Sequence, residues 1–269
     1  MTVFNAAGMP LRASLAEYRE YGTLFFFLAM RDIRLRYRQT TLGVLWAIVQ
    51  PLFPMLIFAA VFSRLLKPGA AGVPYPLFVF SGLAPWTFLA ASIQAGSPAF
   101  LNNFSLLNKV YFPRAILPAA AVAACALDGL VAAIAVLASC LYYGYYPWAG
   151  WLLLPAIACW ACLLAAAATL FAACLAVAFR DMKNVIPFAV QIWMYLTPVL
   201  YPAELIPAPL RLAAGFNPMA GVVEAFRACL FRTRPDAVVL AQSLFSLVAV
   251  LVLAVTVFRH LEADLAERA

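Results

Sequence analysis

The stretch RDIRLRYRQTTLG, from Arg31 to Gly43, places four arginines at spacings of two or three residues directly before a long apolar run. Such a cluster can bind a nucleic acid, a membrane surface or a partner protein. Composition argues against nucleic acid, because 67% of the 269 residues are hydrophobic and only 11% are charged. The formal net charge of +7 then reflects the excess of Lys and Arg that membrane proteins keep on their cytoplasmic side.

Residues that could perform catalysis or bind a metal are scarce. The single histidine, His260, follows the last apolar run, so neither a histidine metal site nor a Ser-His-Asp triad can form inside the membrane. Cys159 and Cys162 have the spacing of a metal or redox pair, but their apolar surroundings favour a role in helix packing. The chain lacks the phosphate-loop motif GxxxxGK[ST]. We therefore expect no catalytic residue, metal or cofactor in this chain.

Six uncharged or nearly uncharged stretches are long enough to cross a membrane. They cover residues 44–63, 77–101, 115–143, 149–179, 185–201 and 237–258. The expected fold is an all-α integral membrane protein with one six-span transmembrane domain over residues 44–258. Asp128 is the only charge in these stretches, and a charge in lipid needs a partner or water. A structural hydrogen bond to a neighbouring helix is favoured over a proton relay, which would need further titratable groups.

The segments outside the spans set the expected orientation. Residues 1–43 are expected in the cytoplasm, with an amphipathic helix in the membrane interface that includes LFFFLAM (24–30). Lys and Arg are enriched on that side, so both termini are predicted to be cytoplasmic, with residues 259–269 as a tail. Residues 202–235 combine prolines with charges and predict re-entrant outer helices broken near GFNPMAG (215–221). An amphipathic hairpin on the outer surface is the alternative.

Two predicted spans each carry two aromatic residues and one glutamine on one helical face. These residues are Trp46, Gln50 and Phe53 in the first span, and Phe188, Gln191 and Tyr195 in the fifth. An aromatic ring can lie against the C–H face of a sugar while an amide hydrogen-bonds its hydroxyl groups. Such faces are suited to a pore through which a glycan slides. Helix packing and anchoring at the interface are the alternative roles.

Five blocks, in order along nearly the whole chain, resemble the permeases of ATP-binding-cassette exporters of bacterial polysaccharides. The blocks are YRQTTLGVLWAIVQPL (37–52), VPYPLFVFSGLAPWTF (73–88), LLNKVYFPRAILP (106–118), FRDMKNVIPFAVQIWMYLTPVLYP (179–202) and FNPMAGVVEAFR (216–227). This family includes exporters of O-antigen, capsule and teichoic acid. The blocks are most similar to the exporters of O-antigen and related lipid-linked glycans.

The resemblance implies a homodimer of permeases in the bacterial inner membrane, together with two copies of a separate ATPase that binds ATP and Mg. It implies export of an undecaprenyl-linked glycan from the cytoplasm to the periplasm, through a channel lined by the first and fifth spans. Capsular polysaccharide, teichoic acid or a small lipophile are alternative substrates. A secondary transporter or a membrane enzyme that modifies glycans are alternative functions, although the chain shows neither an internal repeat nor an acid-base pair.

The resemblance also assigns roles to two cytoplasmic regions. Contact with the ATPase is implied for Asn103, Leu106, Asn108, Lys109, Arg180 and Asp181. A cytoplasmic entrance that holds the lipid pyrophosphate is hypothesised for Arg31, Arg34, Arg36, Tyr37 and Arg38. A role of these arginines only in topology and lipid anchoring is the alternative. Arg232 and Arg234 lie on the outer side against the charge bias, where an acidic glycan or a periplasmic partner could contact them.

Overall fold

The protein is described by a computed structural model that covers residues 21–38, 43–62, 72–107, 109, 112–146 and 148–267. Its helices, numbered along the chain, are α1 (Gly22–Tyr37), α2 (Trp46–Phe62), α3 (Tyr75–Gly96), α4 (Ala99–Asn102), α5 (Phe104–Leu107), α6 (Ile116–Tyr142), α7 (Leu154–Ala178), α8 (Met182–Leu196), α9 (Ala208–Gly215), α10 (Pro218–Phe231) and α11 (Ala237–Glu267). The all-α fold expected from the sequence is confirmed.

Among the described residues, four helical stretches are long and apolar enough to cross a membrane. They are Tyr75–Gly96, Ile116–Tyr142, Ala149–Ala178 and Ala237–Leu261. They correspond to the second, third, fourth and sixth predicted spans. An uninterrupted apolar run folds into a helix because a helix satisfies all the backbone hydrogen bonds of the segment within lipid.

The first and fifth predicted spans correspond to shorter helices. α2 has 17 residues and α8 has 15, which at a rise of about 1.5 Å per residue gives roughly 25 and 22 Å. The hydrocarbon core is about 30 Å thick. α8 ends before Thr197, whose backbone is extended, because Pro198 disfavours the helical conformation of the residue before it. That α2 and α8 cross the membrane stays a prediction.

Helix α3 forms the centre of the bundle. It packs against α2, α6, α7, α8 and α10, and buried side chains such as Phe80, Leu83 and Leu89 extend around the helix. Close approach of its neighbours depends on small residues. A Cβ atom built on Gly96 would lie 2.1 Å from Cγ2 of Thr169 on α7. Helices α3 and α7 therefore lie so close together along this face that a side chain at position 96 would clash with Thr169.

The segment 202–235 contains the helix break expected near residues 215–221. α9 ends at Gly215 and α10 begins at Pro218, with Asn217 as the N-cap between them. The Asn217 side chain accepts a 3.0 Å hydrogen bond from the backbone N–H of Met219, and proline at the first helical position completes this signature of a helix start. Twelve residues of α10 are buried, and the helix packs against α3, α7 and α11. Re-entry of this helix pair into the membrane stays a prediction.

Arg227 lies in the segment 202–235, whose charges and prolines predict re-entrant outer helices. It is buried within α10, with 9% of its surface exposed. Its guanidinium donates hydrogen bonds to the backbone oxygens of Pro198 (2.7 Å), Val199 (2.6 Å) and Phe78 (3.1 Å), and it lies 3.6 Å from the centre of the Phe78 ring. The planar, five-donor guanidinium suits this arrangement. Arg227 thereby joins α10 to α3 and to the segment that follows α8.

Helix α1 packs against α6. Its buried residues Leu28 and Ala29 belong to a cluster with Phe112, Leu117 and Phe258, which anchors α1 at the start of α6. Residues 1–20 of the predicted cytoplasmic segment lie outside the described residues. Placement of α1 in the membrane interface stays a prediction.

Candidate functional site

Asp128 lies near the middle of α6 and is held by two consecutive residues at the end of α1. Its carboxylate forms an ion pair with the Arg36 guanidinium and accepts a hydrogen bond from the Tyr37 hydroxyl. Nη2 of Arg36 also lies 3.0 Å from the sulfur of Cys125, one helical turn before Asp128. The expected structural partner of Asp128 on a neighbouring helix is thus confirmed.

A cavity of about 440 Å³ opens beside this ion pair, between α1, α2, α3 and α6, and is called here the Asp128 cavity. Its charged, polar and aromatic lining consists of Arg36, Tyr37, Trp46, Gln50, Gln94 and Asp128. The structure therefore brings together two residues predicted at the cytoplasmic entrance and two predicted to line the channel. Gln94 was not selected from the sequence, although it is a polar residue in an apolar run, the signal that selected Gln50.

The remaining predicted channel residues lie outside this cavity. Phe53, further along α2, is 62% exposed, and on α8 Phe188 is 63% and Tyr195 54% exposed. Gln191 is exposed as well. Helix α8 packs against α3 and α7, which leaves its aromatic face without a neighbour in the described part of a single chain. The channel role of these residues stays a prediction.

The four arginines of the opening stretch differ in their contacts. Arg31 forms an ion pair of 2.9 Å with Asp32, and its Nη1 donates a 2.9 Å hydrogen bond to Oδ1 of Asn103. Arg34 and Arg38 are exposed and make no side-chain ion pair within the residues that the structure describes. Two of the five predicted entrance residues, Arg34 and Arg38, thus present free positive charge.

The residues predicted to contact an ATPase lie in two short segments between longer helices. Asn103 separates α4 from α5 and donates a 2.8 Å hydrogen bond to the Ala99 carbonyl. Leu106 is half-buried, and Lys109 is exposed. Asn108 lies outside the described residues. Arg180 and Asp181 are exposed in the turn between α7 and α8.

Comparison of the sequence with known protein families gives a match that contains all of these elements. The family model described as "ABC-2 type transporter" matches residues 23–231, from the start of α1 to the end of α10. The chain belongs to the ABC-2 type transporter family. The matched region contains the Asp128 cavity, the α4–α5 segment and both exposed aromatic faces, so these features lie within the transporter domain.

Named relatives are similar to this chain along most of its length. An O-antigen export system permease protein RfbA of Myxococcus xanthus is 29% identical over 224 residues, covering 82% of this chain and 85% of the relative. A protein of the same name from Klebsiella pneumoniae is 28% identical over 219 residues, covering 80% and 83%. The polysialic acid transport protein KpsM of Escherichia coli is 25% identical over 207 residues, covering 74% and 78%. The resemblance to polysaccharide export permeases is confirmed.

Proposed function

We propose that this chain is the transmembrane permease of an ATP-driven exporter that moves an undecaprenyl-linked polysaccharide of the O-antigen type from the cytoplasm to the periplasm. Membership of the ABC-2 family supports the transport, and the names of the relatives support the class of substrate. The polysialic acid transport relative favours capsular polysaccharide as the second candidate. In both cases the protein acts in the bacterial inner membrane with both termini in the cytoplasm.

The observation that carries the proposal is the pair of exposed aromatic faces on α2 and α8. On each face two rings flank a glutamine, and Trp46, Phe53, Phe188 and Tyr195 are between 43% and 63% exposed in the single chain. Pairing of two copies in a homodimer gives these faces a common space between them. Rings that contact sugar faces and amides that exchange hydrogen bonds let a glycan pass without tight binding.

The cytoplasmic entrance is assigned to the exposed side of α1. Arg34 and Arg38 are one helical turn apart and share a groove of about 850 Å³ with the exposed rings of Phe26 and Phe27. Guanidinium groups bind phosphate oxygens, and the rings contact acyl or prenyl chains. Arg31, Arg36 and Tyr37 support this surface through their bonds to Asn103 and Asp128.

Energy for export comes from a separate polypeptide. Two copies of a cytoplasmic ATPase bind ATP and Mg and contact the α4–α5 segment together with the turn at Arg180 and Asp181. Exposure of Lys109 and Arg180 in these segments supports such docking, because exposed charges steer the association of protein surfaces.

The test is the ATPase activity of the permease purified from its membrane with the ATPase that co-elutes, measured with and without lipid-linked glycan extracted from the same cells. We expect glycan to stimulate hydrolysis, and we expect Trp46→Leu and Tyr195→Leu to reduce that stimulation. Phe245→Leu on α11 is the matched control, since this ring is 67% exposed outside both faces. Absence of an ATPase partner, together with ion-driven flux in liposomes, would contradict the proposal.

A further inference from the structure

Two exposed glutamines of the Asp128 cavity have amide groups without a protein partner in the described part of the chain. Gln50 on α2 and Gln94 on α3 both line the cavity. Neither side chain donates or accepts a hydrogen bond within the part of the chain that the structure describes. Each amide thus retains two N–H donors and one acceptor oxygen. Because both side chains are exposed, a ligand or water that enters the cavity can bond to these amides.

The charges of the cavity cancel each other. Arg36 and Asp128 form an ion pair, and the rest of the lining is neutral. A phosphate entering the cavity would compete with the Asp128 carboxylate for Arg36. The negative charge of that carboxylate would also repel the phosphate. Free positive charge lies instead on Arg34 and Arg38, outside this cavity. The electrostatics therefore favour a neutral ligand rich in hydroxyl groups.

The shape and the remaining groups of the cavity suit such a ligand. Its volume of about 440 Å³ falls within the range of about 300–1,000 Å³ that is usual for small-molecule sites. The Asp128 carboxylate has about four lone-pair directions, of which Arg36 and Tyr37 use two. The Trp46 ring, 43% exposed, adds a flat apolar surface. Amide donors, carboxylate acceptors and an indole ring together match a sugar.

We propose that the Asp128 cavity is a binding site for a neutral sugar unit of the transported glycan. Gln50, Gln94 and Asp128 bind its hydroxyl groups, and Trp46 stacks on the ring. Arg36 and Tyr37 are positioning residues that hold the carboxylate in place. The site rests on the proposed export function, and it adds Gln94 and Asp128 to the residues that contact the substrate. It also places sugar binding next to α1, at the start of the path that the aromatic faces continue.

The experiment is photo-crosslinking in cells that make the glycan. A diazirine amino acid replaces Ala91, which lines the cavity on α3, or Ala95 as a second position. Ile134, 56% exposed on α6 and outside the cavity, is the control position. We expect adducts that react with a glycan-specific lectin at positions 91 and 95 and not at 134. Export is followed in the same cells as glycan that reaches the cell surface.

Matched substitutions separate the cavity from general damage. Gln94→Leu is expected to lower the glycan adduct at position 91 about five- to tenfold through the loss of amide hydrogen bonds. Gln242→Leu on α11, the same change outside the cavity, is expected to leave it unchanged. Normal export without a glycan adduct at 91 and 95, or with phospholipid adducts only, would overturn the cavity site and leave the exporter intact. Unchanged surface glycan in cells that lack the permease would instead contradict the export function on which the site rests.

Discussion

Arg31 on α1 donates a 2.9 Å hydrogen bond to Asn103, the residue between α4 and α5. Five residues later on the same helix, Arg36 is paired with Asp128 near the middle of α6. One helix is therefore bonded both to the segment predicted to contact the ATPase and to the wall of the Asp128 cavity. Because a packed helix moves as a rigid body, a shift of Asn103 is expected to change the position of Arg36.

Loss of the contact between Arg31 and Asn103 is expected to uncouple hydrolysis from the glycan. Asn103→Ala removes a hydrogen bond to a charged group, and at this half-buried position we expect a cost of about 1 kcal/mol. The stimulation of ATP hydrolysis by lipid-linked glycan should fall about fivefold, while hydrolysis without glycan stays near that of the unmodified complex. Asn102→Ala is the control, because Asn102 is exposed and makes no side-chain hydrogen bond to another described residue. Equal stimulation in the two variants would exclude this role of Asn103.

The ion pair between Arg36 and Asp128 is expected to contribute to stability only as a pair. Their side chains are 30% and 16% exposed, so breaking the pair should cost less than the roughly 3–5 kcal/mol of fully buried pairs. We expect Asp128→Asn to destabilise the permease by about 1–3 kcal/mol and to lower its melting temperature in detergent. The double variant Arg36→Gln with Asp128→Asn should be less destabilised than the sum of the single variants, since neither charge is then left unpaired. Strictly additive losses would show that the two residues are not coupled.

The sequence predicted those features of the fold that depend on local composition. Apolar runs predicted the four helices that are long enough to span a membrane among the described residues, and GFNPMAG (215–221) predicted the break between α9 and α10. A lone charge in a span indicated that Asp128 needs a partner. The identity of that partner, Arg36, depends on how α1 packs against α6, and no local pattern links residues 92 positions apart.

Tertiary packing also determines the roles of two residues that could not be selected from the sequence. In the sequence, Arg227 looks like a charged residue of a loop. Its burial follows from three carbonyl groups that α3 and the segment after α8 present to α10. Gln94 has a role only because α3 meets α1 and α2 at one cavity. The faces of α2 and α8 are exposed in the described part of a single chain, and the second copy proposed to cover them is not specified by a single sequence.

Substitution of Arg227 is expected to disrupt assembly of the bundle. Arg227→Lys keeps the charge but cannot serve the oxygens of Phe78, Pro198 and Val199 from one planar group. We expect a loss of about 3 kcal/mol or more, because buried acceptors lose a charged donor. The measurement is the yield of monodisperse permease after extraction, together with its melting temperature. Arg211→Lys is the matched control, since Arg211 also donates to two backbone oxygens, at 2.7 and 2.9 Å, but on the exposed surface of α9. A similar loss in both variants would contradict a special role of Arg227.

The close packing of α3 against α7 can be tested with two substitutions, one of which should compensate for the other. Gly96→Ala would place its Cβ atom 2.1 Å from Cγ2 of Thr169, whereas the next neighbour lies 3.5 Å away. We expect a loss of about 1–3 kcal/mol from overpacking, seen as a lower melting temperature. Thr169→Ala removes the obstructing methyl group, and the hydroxyl removed with it has no hydrogen-bond partner among the described residues. The double variant should therefore recover most of the stability, while Gly22→Ala, which meets no atom within 4 Å, should cost little. Failure of Thr169→Ala to restore stability would show that a different contact limits the approach of the two helices.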